Sequence, residues 1–358
     1  MLLFLLYPFH ESLSILNVFR YITFRTLGAS LTAILFCMAF GPFFIRWVQK
    51  KQLGQIVRDD GPQSHLLKQG TPTMGGALIL MATVVAVILW ADLTNGWIWT
   101  VLLALIGCGL IGFVDDFKKV IQKNTYGLRF KEKMLSQTLL ALVISTIIYQ
   151  LSDGHVGLHF PFFKDFSLQW GWVFFIFSPL VIVGSSNAVN LTDGLDGLAL
   201  GPTMTTGATF LILSYCAGHN KIAEYLQIPY VAGSGELAIF CGALSAACLG
   251  FLWFNTYPAQ IFMGDTGSLA LGGSLATVAI ITGNEILLAV AGGIFVLEAL
   301  SVMAQVASFK MFGKRVLKMA PIHHHYELKG WAEPKIIVRF WIISIILALL
   351  TLSTLKLR

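Results

Sequence analysis

The sequence predicts an all-α polytopic membrane protein of about ten transmembrane helices with both termini periplasmic, and three observations predict it. Of 358 residues, 56% are hydrophobic and only 12% are charged, at a mean hydropathy of +0.76. A soluble domain carries about 25% charged residues to cover its surface. The apolar residues fall in long runs parted by short polar clusters, and the basic residues crowd into alternate clusters.

A hydrocarbon core about 30 Å thick takes about 20 apolar residues of helix. Runs of this kind start near Thr26, Thr73, Trp97, Met134, Trp170, Ala199, Glu236, Ser268, Ile286 and Ile336. The eighth and ninth are the loosest, because Gly272 and Gly273 interrupt one and Gly292 and Gly293 the other. The opening MLLFLLYPFHES has no basic stretch and no small-residue cleavage site, so it reads as a segment lying at the interface rather than a cleaved signal. No internal repeat or low-complexity linker divides the chain, which is read as one integral-membrane domain over residues 1–358.

Lys and Arg set the orientation. The loop after the first span holds Arg46, Lys50, Lys51, Arg58 and Lys68, and the loop after the third holds Lys118, Lys119, Lys123, Arg129, Lys131 and Lys133. The loop after the ninth holds Lys310, Lys314, Arg315, Lys318, Lys329 and Lys335, with Arg339 just inside the tenth span. Only Arg20, Arg25, Lys164, Lys221, Lys356 and Arg358 remain for the other side, so these three loops are read as cytoplasmic. The net charge of +6 expresses this bias and is no sign of nucleic-acid binding. A basic cytoplasmic face attracts anionic lipid and a pyrophosphate-bearing substrate. Cys37, Cys108, Cys216, Cys241 and Cys248 all lie in apolar runs without C-x-x-C spacing, which argues against a disulfide framework or a thiolate metal site.

The informative carboxylates fall on the same face. Asp115 and Asp116 end the third span in GFVDDFKK, Asp193 and Asp196 lie in NAVNLTDGLDG, and Asp265 lies in FMGDTGS. Taken singly, each is explained as a solvated helix boundary. Five on one face favour a divalent-cation site, and magnesium takes such hard oxygen ligands together with substrate phosphates. Asn187, Asn190, Asp193 and Asp196 recur every third residue, which keeps them on one ragged face of a helix or tight turn. Gly194 and Gly197 allow close backbone approach there.

Lys68 precedes GTPTMGG, where Pro72 marks a helix start whose exposed N–H groups suit an anion, although ordinary helix initiation explains it equally well. His323, His324 and His325 follow Pro321; consecutive residues on a helix diverge, so donors to phosphate fit better than a shared metal. Phe262 is an aromatic beside a polar site, open to base stacking or to plain interface packing. Glu298 lies in apolar FVLEALSV, and an acid within a span is a functional candidate or a partner to a neighbouring helix. Gln305 extends a polar stripe from it.

TPTMGG, GFVDD, NAVNLTDGLDGLA, FLWFNTYPAQIFMGD and APIHHHYELKGW together resemble the phospho-N-acetylmuramoyl-pentapeptide transferases, within the polyprenyl-phosphate N-acetylhexosamine-1-phosphate transferases, along essentially the whole chain. The resemblance implies a ten-helix bundle, a homodimer and dependence on Mg2+. It implies that UDP-N-acetylmuramoyl-pentapeptide reacts with undecaprenyl phosphate at the cytoplasmic face of the bacterial inner membrane. The products are lipid I and UMP, for peptidoglycan biosynthesis. By motif, Asp115 and Asp116 match the family's paired aspartates and Asp265 its main magnesium ligand. Asp115, Asp116, Asp265, Lys68, His323, His324 and His325 are the catalytic candidates; Lys68, Asn190, Asp193, Gly194, Leu195, Asp196 and Phe262 match positions lining the nucleotide pocket, with Phe262 stacking on uracil and Asp196 hydrogen-bonding it, and Thr73, Asn187 and Gln305 are read as substrate-binding beside them. The three histidines match a motif near the substrate phosphates or sugar. The resemblance also suggests a broken ninth helix beside a groove for the polyprenyl tail. Two alternatives are a related N-acetylglucosamine-1-phosphate transferase, against which APIHHHYELKGW argues, and a transporter. A transporter predicts repeat symmetry and acids near the bilayer midplane.

Overall fold

A computed structural model describes residues 1–51, 70–122, 127–161, 167–169 and 171–356. Helices occupy every position where an apolar run predicts one. The chain opens with α1 (Leu2–Leu6) and short 3-10 turns, laid against the bundle by the Met1 amino group, which donates to Ile88 O at 3.0 Å. Phe4, Leu5, Phe9, Leu13 and Ile15 stay exposed in this segment.

The bundle follows as α2 (Ile22–Lys50), α3 (Gly76–Trp90), α4 (Gly96–Gln122) and α5 (Phe130–Leu151), then α6 (Phe174–Thr192) and α7 (Leu200–Ala217). After the short α8 (Asn220–Leu226) come α9 (Leu237–Asn255) and α10 (Gly264–Ile281). The ninth predicted span is two helices, α11 (Glu285–Ala291) and α12 (Gly293–Phe312), parted at Gly292. The short α13 (Ile322–Glu327) and the long α14 (Glu333–Ser353) complete the chain. Among the described residues, eight helical spans, in α2, α4, α5, α6, α9, α10, α12 and α14, are long and apolar enough to cross a membrane. The other two predicted places hold α3, which has 15 residues, and α7, whose first three turns carry Thr203, Thr205, Thr206 and Thr209.

α10 is the axis of the bundle. Every residue from Thr266 to Ile281 is buried, against α3, α4, α6, α7, α9 and α11. Its glycines make this possible: a Cβ at Gly267 would collide with Gly76 of α3, at Gly272 with the backbone of Ser185, and at Gly273 with Cys108 of α4. Lipid gives helices no hydrophobic drive toward one another, so close approach at small residues supplies the packing. The glycines that make the eighth apolar run look loose are therefore what lets it be central. The outward faces stay apolar, as with Leu27, Leu31 and Leu35 on α2 and Ile342, Ile345 and Leu349 on α14.

The two ends of the bundle differ. At one end an antiparallel pair, β1 (Gly157–His159) and β2 (Ser167–Gln169), is in register with Gly157 opposite Gln169. At that end too, Arg25 makes a bidentate pair with Glu236 at 2.6 and 2.7 Å, and Glu236 also accepts the Asp92 N–H. The C-terminal ends of α4 and α6, the N-terminal ends of α3, α5 and α10, and α13 gather at the opposite end, with Asp115, Asp116, Asp193, Asp265 and the three histidines.

Candidate active site

Two helix ends bring the acids together. Asp115 and Asp116 lie near the end of α4, and Asp265 opens α10. Gly112, one turn before the pair, lies directly against the Asp265 backbone, so any side chain there would hold the two helices apart. One oxygen from each of Asp115, Asp116 and Asp265 lies within 4.8 Å of the others.

The three are held differently. Asp116 caps α10: its Oδ2 accepts the Thr266 N–H at 2.9 Å and the Thr266 hydroxyl at 2.7 Å, and its Oδ1 accepts the Asp265 N–H at 3.2 Å. Asp115 accepts the Leu128 N–H through Oδ1 at 2.7 Å and faces Lys119 through Oδ2 at 2.6 Å. Asp265 accepts from Asn190 through Oδ1 at 2.8 Å, and its Oδ2 meets Lys119 at 3.1 Å and Lys133 at 2.7 Å. The Lys119 ammonium thus stands where the three carboxylates meet, with Asp116 Oδ1 3.9 Å away. The donor set is all carboxylate oxygen, without thiolate or imidazole, which suits a hard divalent cation.

The third-residue spacing from Asn187 onward spreads its side chains over different partners. Asn187 donates to Gln137 Oε1 and Val183 O, while Asn190 donates to Asp265 and to Ser268. Asp193 ends α6 and accepts the Gly264 N–H. Burial, then the negative charges of Asp265, Asp116 and Asp196, push its carboxyl well above the ordinary range. Asp196 turns away from the cluster, accepting the Ala259 N–H at 3.0 Å while its own N–H donates to Glu333. The Leu195 side chain is buried with Leu198, Ile294 and Ile336, so only its backbone can face a ligand.

The TPTMGG segment corrects one expectation. Pro72 does not start a helix, since α3 begins at Gly76. The Gly75 and Gly76 N–H groups, read as open to an anion, donate to Phe262 O and Met263 O, and Pro72 O accepts the Phe262 N–H. Backbone N–H groups brought into a bundle pair with the nearest carbonyls, and the FMGD loop supplies them. The result is useful to the site: it locks half-buried Phe262 and buried Thr73 beside Gly264. Lys68 lies outside the described residues.

The three histidines diverge, as a helix requires. His323 is fully buried, with Nδ1 3.0 Å from Glu298 Oε1. His324 faces Glu327 at 2.6 Å. His325 Nδ1 accepts the Lys318 N–H, and burial, then the charges of Lys329 and Lys318, lower its imidazole from the ordinary value. Gln305 joins none of them; its amide accepts the Val316 and Leu317 N–H groups and donates to Leu317 O, pinning the loop after α12.

The glycosyl transferase family 4 model matches residues 98–283, a stretch that contains Asp115, Asp116, Asp193 and Asp265. The chain is 57% identical over 359 residues to a phospho-N-acetylmuramoyl-pentapeptide-transferase of Syntrophus aciditrophicus, with 100% of both chains covered. It is 58% identical to the protein of that name from Pelobacter propionicus, over the same length and coverage. The chain belongs to the phospho-N-acetylmuramoyl-pentapeptide-transferase family. For this member of the family, sequence reasoning treated Lys119 and Lys133 only as markers of orientation, and missed both as site residues. Lys119 was detectable, since it stands four residues after Asp115 and three after Asp116, the spacing that puts side chains on one helix face. Nothing local marks Lys133, which reaches Asp265 from another helix.

Proposed function

We propose that this protein transfers phospho-N-acetylmuramoyl-pentapeptide from the UDP-linked donor to undecaprenyl phosphate, releasing UMP and forming lipid I for peptidoglycan synthesis. The observation that carries this reading is the meeting of three aspartates and two lysines at one end of a membrane bundle, in a chain that aligns end to end with transferases of that name. A transporter reading has less support: Asp115, Asp116 and Asp265 cluster at one end of the bundle rather than near its middle.

The basic loops support a cytoplasmic position for this end in the bacterial inner membrane. Asp115, Asp116 and Asp265 are the residues that would hold Mg2+, on the position the Lys119 ammonium takes. Bound there, the ion supplies charge neutralisation to the donor's phosphates. Lys133 holds Asp265 in place and presents positive charge to the anionic transition state. In this reading the lipid phosphate attacks the donor directly, without an aspartate nucleophile. Asp115, held by a single N–H and by Lys119, is better placed than Asp116 to orient that phosphate. The lipid tail has an apolar cavity of about 450 Å³ beside the break at Gly292, lined by Phe177, Val181, Leu275, Leu288 and Phe295.

The test is release of UMP and formation of lipid I by purified protein given both substrates and Mg2+. Asp265→Asn abolishes both at every Mg2+ concentration, and near-normal turnover in that variant removes Asp265 from the metal site. With donor alone, labelled UMP does not exchange into the donor if attack is direct.

A further inference from the structure

We propose that Glu298 is a positioning residue: it keeps Nδ1 of His323 protonated and turns Nε2 of that ring across Gly194 toward the substrate. The proposal rests on the transferase reading and adds a residue and a task to it.

Glu298 comes from α12 and His323 from α13, so the contact ties the broken ninth helix to the histidine segment. The side chains are 0% and 1% exposed, and Nδ1 and Oε1 are 3.0 Å apart. In this arrangement the proton between them sits on Nδ1 and Glu298 Oε1 accepts it. The far atoms of the same two groups, Glu298 Oε2 and His323 Nε2, are buried without a hydrogen-bond partner. Buried polar atoms are nearly always paired, so each one left unpaired asks for an explanation, a catalytic or ligand-binding role among them.

Gly194 shows where the free edge of the ring faces. A Cβ at that position would run into His323, and Nε2 is the nearest atom it would meet. Gly194 belongs to the turn that follows α6, between Asp193, which accepts the Gly264 N–H beside the aspartate cluster, and Asp196. The absence of a side chain at Gly194 is therefore what lets a buried imidazole reach the margin of the site. His324 and His325 have their Nδ1 atoms engaged by Glu327 and by the Lys318 N–H, and neither is fully buried. Of the three, His323 is the one whose orientation is set from inside the bundle.

The experiment compares Glu298→Leu, Glu298→Gln, His323→Gln and the double variant Glu298→Leu/His323→Gln, purified full length in lipid nanodiscs, each checked for thermal stability. Removing a positioned acid–base or hydrogen-bonding group costs about 10²-fold or more, so Glu298→Leu lowers kcat by roughly that factor with KM nearly unchanged. Glu298→Gln, whose carbonyl still accepts the Nδ1 proton, keeps most of the rate. In the His323→Gln background Glu298→Leu costs nothing further, since a residue that acts through another is silent once that other is gone. Full additivity of the two losses overturns the proposal, as does a Glu298→Gln variant no better than Glu298→Leu.

A second readout needs no turnover. In protein labelled with 15N-histidine, with His323→Gln used for assignment, the His323 Nδ1 resonance is that of a protonated nitrogen and changes in Glu298→Leu. An unprotonated Nδ1, or a resonance indifferent to Glu298, overturns the proposal by itself. Absence of transferase activity in the unaltered protein would strike the functional reading instead, and leave this spectroscopic result to be judged separately.

Discussion

Replacing Gly264 by Ala tests how the backbone builds the site. Gly264 has φ +73°, in the left-handed region. An L-residue held there costs about 1–2 kcal/mol. The Cβ would also come within 2.7 Å of Asp116 Oδ2 and 3.0 Å of Thr73 Oγ1. Asp116 Oδ2 is the acceptor for the Thr266 N–H and hydroxyl, so pushing it aside uncaps α10. Loss of a cap is worth about 1 kcal/mol, up to 2. The combined loss of stability is about 2–4 kcal/mol. The same shift moves two of the three clustered carboxylates, and a displacement near 1 Å at a reaction centre costs about 10²-fold in rate. Gly313→Ala is the control, because Gly313 has φ +67° and nothing within 4 Å of its would-be Cβ. The assay pairs thermal unfolding in detergent with UMP release per folded molecule. Gly313→Ala loses stability and keeps its rate, whereas Gly264→Ala loses more stability and most of its rate. A folded Gly264→Ala protein with normal turnover would refute the idea that Asp116 and Asp265 are positioned through this glycine.

Three further predictions concern single side chains. Lys133→Met removes the cation 2.7 Å from Asp265 Oδ2 and lowers kcat by roughly 10²-fold, the usual cost of losing one charge-stabilising donor; a normal kcat places Lys133 outside the chemistry. Asp193 is one pH-sensitive group, since its raised pKa means the native state binds that proton more tightly than the unfolded chain does. Its stabilising contribution is present below the unfolded value of about 4 and fades as pH rises through the native value, so Asp193→Asn gains on the unaltered protein in melting temperature as the pH is raised above about 4. Parallel melting curves across that range contradict this. At the opposite end, Arg25→Met strands the buried Glu236 carboxylate and costs about 3–5 kcal/mol, while Arg25→Met/Glu236→Leu recovers much of it. If the double variant is no more stable than the single one, the pair is not the source of the loss.

The amino-acid sequence alone determined that the chain is a helical membrane protein, because the cost of apolar and charged side chains in lipid is set residue by residue. It also marked the aspartates that gather at one end of the bundle, since Asp115, Asp116, Asp193 and Asp265 stand at helix ends marked by polar breaks and basic loops. It misjudged the start of α3, where Pro72 and two glycines signal a free helix end but the N–H groups pair with the loop around Phe262. The tertiary structure alone decided the division of labour among similar residues. Asp116 caps α10 while its neighbour Asp115 faces Lys119, Lys133 reaches Asp265 from a separate helix, and His323 is turned inward to Glu298 while His324 and His325 are not. Composition and spacing act along the chain, whereas these pairings depend on where glycines such as Gly76, Gly112 and Gly272 let helices close to contact, and that is fixed only when the bundle packs.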